Sequence, residues 1–348
     1  MFLPYSVVNP LTLIEIERRL PRAGEVLVAE GELVESFQLV AKATEQPRFG
    51  IVNVARELHL PPKKVKPALK VKVGEQVTAG TILAARGMLG ERVSRAPFDG
   101  TITGYGHGRL LLEAPPVEVQ LTALAPGRVA RVWPEEGITV QTYGAFMQGV
   151  WGNNQEGYGV LQLAVRTPHQ PLRARRLDAS MQGAIVVGGA GLDAEALAQA
   201  TEMQISGLIV GGISPQLLPK LAVVNFPILI TEGIGETPIS SAVFTLLRDL
   251  AGRETVLSAH WSARWTARPY VAVPMPAESG RVVEPESPLM IGSQVRALRA
   301  PLLGKTGVIA KLPANKIELE TGARLAGAYV DFDGEVDFVP FPNLERIF

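Results

Sequence analysis

Five lysines within ten residues form a strip of like charge. They are Lys63, Lys64, Lys66, Lys70 and Lys72. No acidic residue interrupts them, and closely spaced ammonium groups attract phosphates and other anions. The strip is therefore a candidate contact for nucleic acid or another anion, and the plainer alternative is a solvated loop and strand face. Further candidates for the same role lie near the C-terminus, at Arg296, Arg299 and Lys305.

Glycines gather at the ends of three predicted strands in the second half of the chain, at residues 184–187, 207–210 and 227–230. Open parallel sheets bind ligands at the carboxyl ends of their strands, which predicts a small-molecule site there. Its candidate residues are Gly188, Gly189, Gly191, Gly211, Gly212, Thr231, Glu232 and Gly233. The alternative is that these glycines only allow tight turns from strand to helix.

This glycine site lacks the marks of a phosphate or dinucleotide site. The third glycine of the dinucleotide fingerprint is missing, because residue 194 is Ala. Residues 183–260 also contain seven acidic residues against three basic ones. A phosphate ligand is therefore disfavoured.

Other catalytic and metal-binding patterns are missing from the sequence. There is no Cys and the four His residues are far apart, so neither thiolate chemistry nor a metal site is predicted. The Gly304-Lys305-Thr306 triplet is not a P-loop, because Arg299 stands where the first glycine belongs. We expect no cofactor and favour a non-enzymatic protein. An enzyme stays open as an alternative, because catalytic groups can assemble from distant loops.

Composition is typical of a globular chain. Of the 348 residues, 47% are hydrophobic, and this length predicts about two to four domains. The 34 basic and 34 acidic residues cancel, so no long-range attraction to nucleic acid or anionic membrane is expected. The N-terminal residues lack the basic region of a signal peptide, and no apolar run reaches the roughly 18 residues of a membrane span. We expect a cytoplasmic protein without membrane insertion.

A Gly-x-x-Val pattern between predicted strands recurs in the first half of the chain, at residues 31–34, 74–77 and 137–140. Each copy is predicted to be strand, turn and strand, with the glycine at positive φ. The unequal separations argue against a regular solenoid and favour internal duplication. Helical spacing of apolar residues predicts helices at residues 10–20 and 49–60.

One of these copies belongs to a longer pattern. Residues 68–84, followed by residues 96–103, place turns at Gly74-Glu75, Gly80 and Asp99-Gly100. This stretch resembles the biotinyl/lipoyl-type barrel-sandwich hybrid, most closely its variant in the RnfC-type subunits of electron-transport complexes. Such carrier domains hold a modifiable lysine at a hairpin tip, which corresponds here to residues 85–91. Met88 is followed by Leu89, so the resemblance implies the fold without the carrier chemistry.

Glycines also shape the C-terminal segment. Gly304 and Gly307 lie between two predicted strands, and Asp333-Gly334 predicts a hairpin turn. The segment is similar to a KOW motif in an SH3-like barrel, a module that often binds RNA, the ribosome or RNA polymerase. Residues 291–348 contain seven basic and seven acidic residues. A neutral module binds phosphate poorly, so a protein contact is expected rather than an RNA contact.

These patterns together predict a multidomain, mainly β protein with one α/β domain. Residues 1–170 are predicted to form a β-rich barrel-sandwich-hybrid region, and residues 180–260 a small parallel α/β sheet domain. Residues 261–290 are predicted to connect, with one strand, to a KOW-like, SH3-like barrel at residues 291–348.

The leading functional hypothesis is a non-enzymatic scaffold or docking subunit of a cytoplasmic assembly, with a protein partner or self-association. The first alternative is a small-molecule sensor that acts through the α/β domain. The second is an RNA-, ribosome- or DNA-associated factor, which the zero net charge disfavours.

Overall fold

Strands predominate in the computed structural model, which describes residues 8–87, 92–261, 268–276, 289–299, 301–302 and 304–346. The first half contains β1 Val8–Arg19, β2 Glu25–Val26, β3 Leu33–Val34, β4 Leu39–Thr44, β5 Phe49–Val52, β6 Gln76–Val77, β7 Ile82–Arg86, β8 Arg92–Arg95, β9 Gly100–Gly106, β10 Arg109–Glu113, β11 Glu118–Thr122, β12 Gly127–Trp133 and β13 Gly137–Gln148. The middle contains β14 Trp151–Gly152, β15 Glu156–Leu163, β16 Ile185–Val187, β17 Gly207–Ile213, β18 Ile228–Ile234, β19 Glu254–Ser258 and β20 Tyr270–Pro274. The C-terminal strands are β21 Gln294–Ala297, β22 Thr306–Lys311, β23 Ile317–Glu318, β24 Arg324–Leu325, β25 Gly327–Phe332, β26 Glu335–Pro340 and β27 Leu344–Arg346. The α-helices are α1 Val54–Glu57, α2 Ala194–Glu202, α3 Leu218–Leu221 and α4 Ser241–Asp249.

One β unit is inserted into another in the first half of the chain. Residues 20–48 and 114–133 form the host unit, and residues 49–113 form the inserted unit. An antiparallel ribbon joins them: β4 pairs with β11, β5 pairs with β10, and Ala114 N–H donates to Arg48 O between the two pairs at 2.8 Å. The buried cluster of the inserted unit contains only residues from 52 to 112. The inserted unit therefore has a hydrophobic core of its own.

The two units share the same turn. The Glu32 carboxylate accepts from Ala29 N–H at 3.0 Å, and the Glu75 carboxylate accepts from Lys72 N–H at 2.8 Å. Gly31 and Gly74, which precede these glutamates, have φ of 86° and 92°. The sequence pattern that recurs at these two positions is thus matched by the same hydrogen bond and the same glycine conformation. The third Gly-x-x-Val copy differs, because Gly137 begins β13 directly after the β12–β13 hairpin and carries no such carboxylate.

Eleven strands of the described chain form one sheet, and seven of them close into a ring. The path runs from β18 through β17, β16, β15, β19 and β20 to β13. Gly149 and Val150 lead directly from β13 into β14, which pairs with the other side of β18. A Cβ at Gly149 would lie 2.7 Å from Ile230 O, so the crossing point requires a residue without a side chain.

Helix α4 fills the inside of this ring. Val243, Phe244 and Leu247 belong to one buried cluster with residues from β13, β15, β16, β17, β18, β19 and β20. Helices α2 and α3 cover the outer face of the parallel strands. Ile14 and Ile16 of β1 pack against Val256 and Ala272 on the outer face of β19 and β20. Across the described residues, no helix is both long and apolar enough to cross a membrane.

The sheet crosses the predicted boundary between the β-rich and the α/β regions. Strand β15 lies before residue 170 and pairs in parallel with β16, while β19 pairs antiparallel with β15. The three parallel strands β16, β17 and β18 lie where the sequence predicted them. The boundary near residue 180 therefore does not separate two sheets.

Two helix predictions were wrong because strand pairing dominates. Residues 8–19 form β1, which pairs with β13 along its length, and Leu11, Ile14 and Ile16 are buried from that strand. Residues 49–52 form β5 because they pair with β10, and only Val54–Glu57 is helical in the predicted segment. The alternation of Ile14, Glu15, Ile16 and Glu17 is the strand period that the helical reading overlooked.

The C-terminal strands form a separate five-stranded antiparallel sheet in the order β26-β25-β22-β21-β27. The predicted hairpin at Asp333-Gly334 joins β25 and β26, and both turn residues have positive φ. Residues 88–91, which include the predicted carrier tip at Met88, and most of residues 262–288 lie outside the described residues.

Gly100→Ala is expected to destabilise the inserted unit by about 1–3 kcal/mol, since the new Cβ would lie in occupied space. At this position a Cβ would be 2.3 Å from Glu113 O, across the β9–β10 pair. Gly106→Ala, in the same strand, is the matched control, because nothing lies within 4 Å of its Cβ position. Amide hydrogen exchange of β9 and β10 measures the effect, and equal protection in the two variants would contradict the packing argument.

Candidate functional site

A buried charge cluster joins the C-terminal sheet to the ring of strands. Arg296 of β21 donates to Glu345 of β27 through Nε at 2.6 Å and through a second guanidinium nitrogen. Its Nη1 donates to Glu232, at the end of β18, at 2.8 Å and to Ser240 Oγ at 2.9 Å. The side chains of Arg296, Glu345 and Glu232 are at most 1% exposed. One guanidinium therefore binds two carboxylates from different parts of the fold.

The local structure explains how the carboxylates are held. Arg296 and Glu345 are directly opposite each other in the β21–β27 pair, which aligns their side chains on one face. Glu232 also accepts from Ser240 N–H at 3.0 Å, just before α4 begins. The charge of Arg268 acts on both Glu345 and Arg296. The cluster thus links β18, α4, β21 and β27.

Burial dominates the electrostatics of the cluster. Desolvation raises the pKa of Glu345 to about 7, although the guanidiniums of Arg296 and Arg268 oppose the rise. For Arg296, burial alone would lower the pKa, but the Glu345 and Glu232 carboxylates outweigh it and raise the pKa. Two negative and two positive groups share this buried site. Removing one of these side chains therefore leaves an opposite charge buried without compensation.

A polar cavity of about 650 Å³ adjoins the cluster through Arg268 and is also lined by residues of β1, β11, β15, β19 and β20. Inside it, the Arg18 guanidinium donates two hydrogen bonds of 2.6 Å to Glu156 and one of 2.8 Å to Thr122 O. His260 Nε2 lies 3.6 Å from a Glu156 oxygen. Tyr270, beside Ser258, completes the polar wall.

Glu156 and Tyr270 keep fixed protonation states near neutral pH. Burial alone would raise the pKa of Glu156, but its hydrogen bonds to Arg18, together with the nearby His260 imidazole, lower it to about 2. Burial raises the pKa of Tyr270 to about 12. A group suited to general acid–base catalysis titrates close to the working pH, which neither of these does. The described residues also contain no group of three metal-ligating side chains.

The predicted glycine site is assembled but filled by the chain itself. A Cβ at Gly211 would lie 2.1 Å from Thr237 O, one at Gly212 2.1 Å from Gly235 O, and one at Gly189 2.2 Å from Gln170 O. Gly188 packs in the same way against Leu172, and Gly191 against Gly212 O. Thr231 is buried, and Gly233 has nothing within 4 Å of its Cβ position. At five of these glycines, backbone or a core side chain occupies the space next to the sheet.

The predicted anion contacts are divided among three places. Lys63, Lys64 and Lys66 are exposed on short 3₁₀ turns of the inserted unit, and the ion pairs of the described chain include none of them. Arg299 and Lys305 are exposed at the β21–β22 end of the C-terminal sheet. Arg296 is not available to an external anion, because it is buried in its bonds to Glu345 and Glu232.

The zero net charge of the whole sequence conceals a strong difference between the two β units. The inserted unit, residues 49–113, contains ten Lys and Arg against five Asp and Glu. Residues 20–48 and 114–136, the host unit with the turn that follows it, contain five against eight. The positive charge is thus concentrated on the unit that has its own core.

Sequence reasoning missed the most strongly paired residues of the cavity. In β1, Arg18 follows Ile14 and Ile16 with strand spacing, and all three are buried. A charged residue in the apolar phase of a strand signals a buried partner, which here is Glu156. Reading residues 10–20 as a helix hid this signal. For Glu345, the sequence offers no comparable pattern.

A scan against protein-family models finds no match for this chain, and a search of curated proteins also finds none.

Arg296→Met is expected to destabilise the folded chain by about 3–5 kcal/mol, because it leaves Glu232 and Glu345 buried without their cation. Urea unfolding of the purified chain measures the loss. Arg324→Met is the matched control, since its ion pair with Glu318 is exposed on both sides and is worth about 0–1 kcal/mol. An equally small effect at both positions would contradict the cluster's structural role.

The two shifted glutamates should impose opposite pH dependences. Glu345 has a folded pKa of about 7, whereas an ordinary glutamate has a pKa of 4.5. Between these two values the folded state binds more protons, so stability falls as pH rises from 4.5 to 7. Glu156, lowered to about 2, adds stability above 4.5 that is lost as pH falls towards 2.

Glu345→Gln should therefore flatten the stability profile on its neutral side, and Glu156→Gln on its acidic side. Urea unfolding from pH 3 to 8 measures both profiles. A Glu345→Gln profile that keeps the wild-type slope between pH 4.5 and 7 would show that this carboxyl is not responsible.

Proposed function

We propose that this chain is a non-enzymatic docking subunit of a cytoplasmic assembly, and that the inserted unit presents its contact surface. The observation that carries the proposal is the self-contained core of residues 52–112. A unit that is stabilised by its own core can offer its whole outer surface to a partner without weakening the ring of strands.

The surface of the inserted unit combines charge with apolar area. Its five-lysine strip is exposed, and Val73, between Lys72 and Gly74, is 58% exposed. Strand β5 lies at the edge of its sheet and exposes Phe49 and Ile51, the latter by 67%. Exposed apolar residues beside charges are typical of protein contact sites.

We further propose that the host and inserted units are two related barrel-sandwich-type units. The matched turns at Gly31 and Gly74 and their glutamate caps support this reading. The five-stranded C-terminal sheet, with its hairpin at Asp333-Gly334, supports an SH3-like unit. Its anchoring by Arg296 makes it part of the rigid support rather than a free binding module.

A small-molecule function is less well supported. Chain segments 165–172 and 235–239 occupy the space beside four of the predicted ligand-binding glycines, and Gly212 O lies beside a fifth, Gly191. The neighbouring polar cavity contains an Arg18–Glu156 pair whose hydrogen-bonding groups are already bound to each other. A screen of metabolites by thermal shift checks this alternative, because a ligand at 100 times its Kd adds about 2.7 kcal/mol.

The test is excision of the inserted unit. A short Gly-Ser turn joining Arg48 to Ala114 replaces residues 49–113, and the hydrogen bond between these two residues provides a ready hairpin end. We expect the excised chain to keep its folded core but to lose the partners that the full chain binds from cell lysate at low salt. An unchanged set of partners would contradict the proposal.

Lys63→Ala/Lys64→Ala/Lys66→Ala separates the charge from the rest of the surface. We expect this variant to lose the partners that salt releases, since exposed charges are screened by salt. Arg175→Ala/Arg176→Ala is the matched control, because it removes adjacent basic residues from a 3₁₀ turn outside the inserted unit.

A further inference from the structure

The two related turns have opposite surfaces. In the host unit, the turn at residues 29–38 contains Glu30, Glu32 and Glu35 and no basic residue, and all three glutamates are exposed. In the inserted unit, the equivalent turn at residues 72–81 contains Lys72 and Glu75, and the other four lysines of the strip lie directly before it. The host turn is therefore acidic, whereas the chain that enters the equivalent turn of the inserted unit is basic.

Each of these surfaces also exposes apolar side chains. Leu33 and Phe37 of the acidic turn are 70% and 74% exposed, although the Phe37 ring touches Tyr158 edge-on. Val73 stands at the equivalent basic turn, with Phe49 and Ile51 on the same unit. Charge complementarity and exposed apolar area therefore occur together on both surfaces.

We infer that the inserted unit of one copy docks on the acidic turn of a second copy, forming a closed two-fold dimer. The inference rests on the proposed docking function and names the partner. In a two-fold dimer each chain contributes one basic and one acidic surface, so the contact between a basic and an acidic surface forms twice and no surface is left open for further growth.

A second copy fits better than a nucleic acid. A polyanion would use the lysines alone, since a phosphate backbone gains little from Leu33, Phe37 or Val73. The whole chain has zero net charge, which gives no long-range attraction to a polyanion. The acidic turn supplies the complementary charge on the same chain, at equal concentration.

Sedimentation equilibrium of the full chain at low and high salt tests the inference. The wild type should have twice the monomer mass at low salt and dissociate as salt rises. Lys63→Glu/Lys64→Glu/Lys66→Glu should raise the dimer Kd at least about tenfold, and Glu30→Lys/Glu35→Lys should do the same. Glu32 is left unchanged because its carboxylate caps the turn.

Mixing the two variants gives the decisive measurement. The acidic surface created on the first variant matches the basic surface created on the second, and the unchanged surfaces also match. The equimolar mixture should therefore recover the dimer mass, while each variant alone stays monomeric. Glu195→Lys/Glu335→Lys, which reverses two exposed charges elsewhere, should dimerise as the wild type does.

A wild type that stays monomeric at low salt overturns the inference, as does a mixture that stays monomeric. Two further binding measurements show whether the proposed docking function survives when the wild type does not dimerise. Fluorescent poly-glutamate and an RNA oligonucleotide are each added to the protein at low salt. If the monomeric wild type binds either probe and the triple-lysine variant does not, docking stands with an acidic protein or RNA as partner. If neither probe binds and excision changes no lysate partner, the docking function falls as well.

Discussion

A single buried guanidinium fixes how the C-terminal sheet packs against the ring of strands. Arg296 binds Glu345 within its own sheet and Glu232 and Ser240 across the interface. These hydrogen bonds form only when the C-terminal part of β18, the start of α4 and strand β27 all lie in fixed positions around Arg296. Because an unpaired buried charge is costly, small displacements of the C-terminal sheet are penalised. The cluster therefore specifies one arrangement rather than merely adding stability.

The ring of strands provides the other half of that arrangement. Its closure depends on Gly149, where the chain passes Ile230 too closely for a side chain, and on α4, which fills the interior. The inserted unit, in contrast, is joined to the host by one antiparallel ribbon and has its own core. The ring of strands and the inserted unit thus have separate cores.

Local patterns in the sequence predicted local structure well. The turns at Gly31 and Gly74, the hairpin at Asp333-Gly334 and the strands β16, β17 and β18 follow from glycine positions and apolar runs. Strand β1 was misread as a helix, because Leu11 and Ile14 also have helical spacing. Its partner strand, β13, lies more than a hundred residues later in the sequence, so no local pattern reveals the pairing.

The site could be predicted only in fragments. Glu232 and Arg296 were assigned to two different functions, a ligand site and an anion contact, and the structure brings them 2.8 Å apart in one ion pair. Their approach depends on the docking of a sheet that begins about sixty residues later in the chain, which no local pattern encodes. The charge difference between the two β units was hidden for a similar reason, because the nested topology had first to divide the sequence.

Hydrogen exchange of the full chain shows whether copies of it assemble and where their contact lies. Amide exchange is compared between dilute and concentrated protein at low salt. If the proposed docking is right, exchange slows on concentration at residues 62–73 of the inserted unit and 30–37 of the host unit, and exchange at residues 188–191 stays unchanged. Slower exchange confined to the C-terminal sheet or to the glycine-rich strand ends would contradict it.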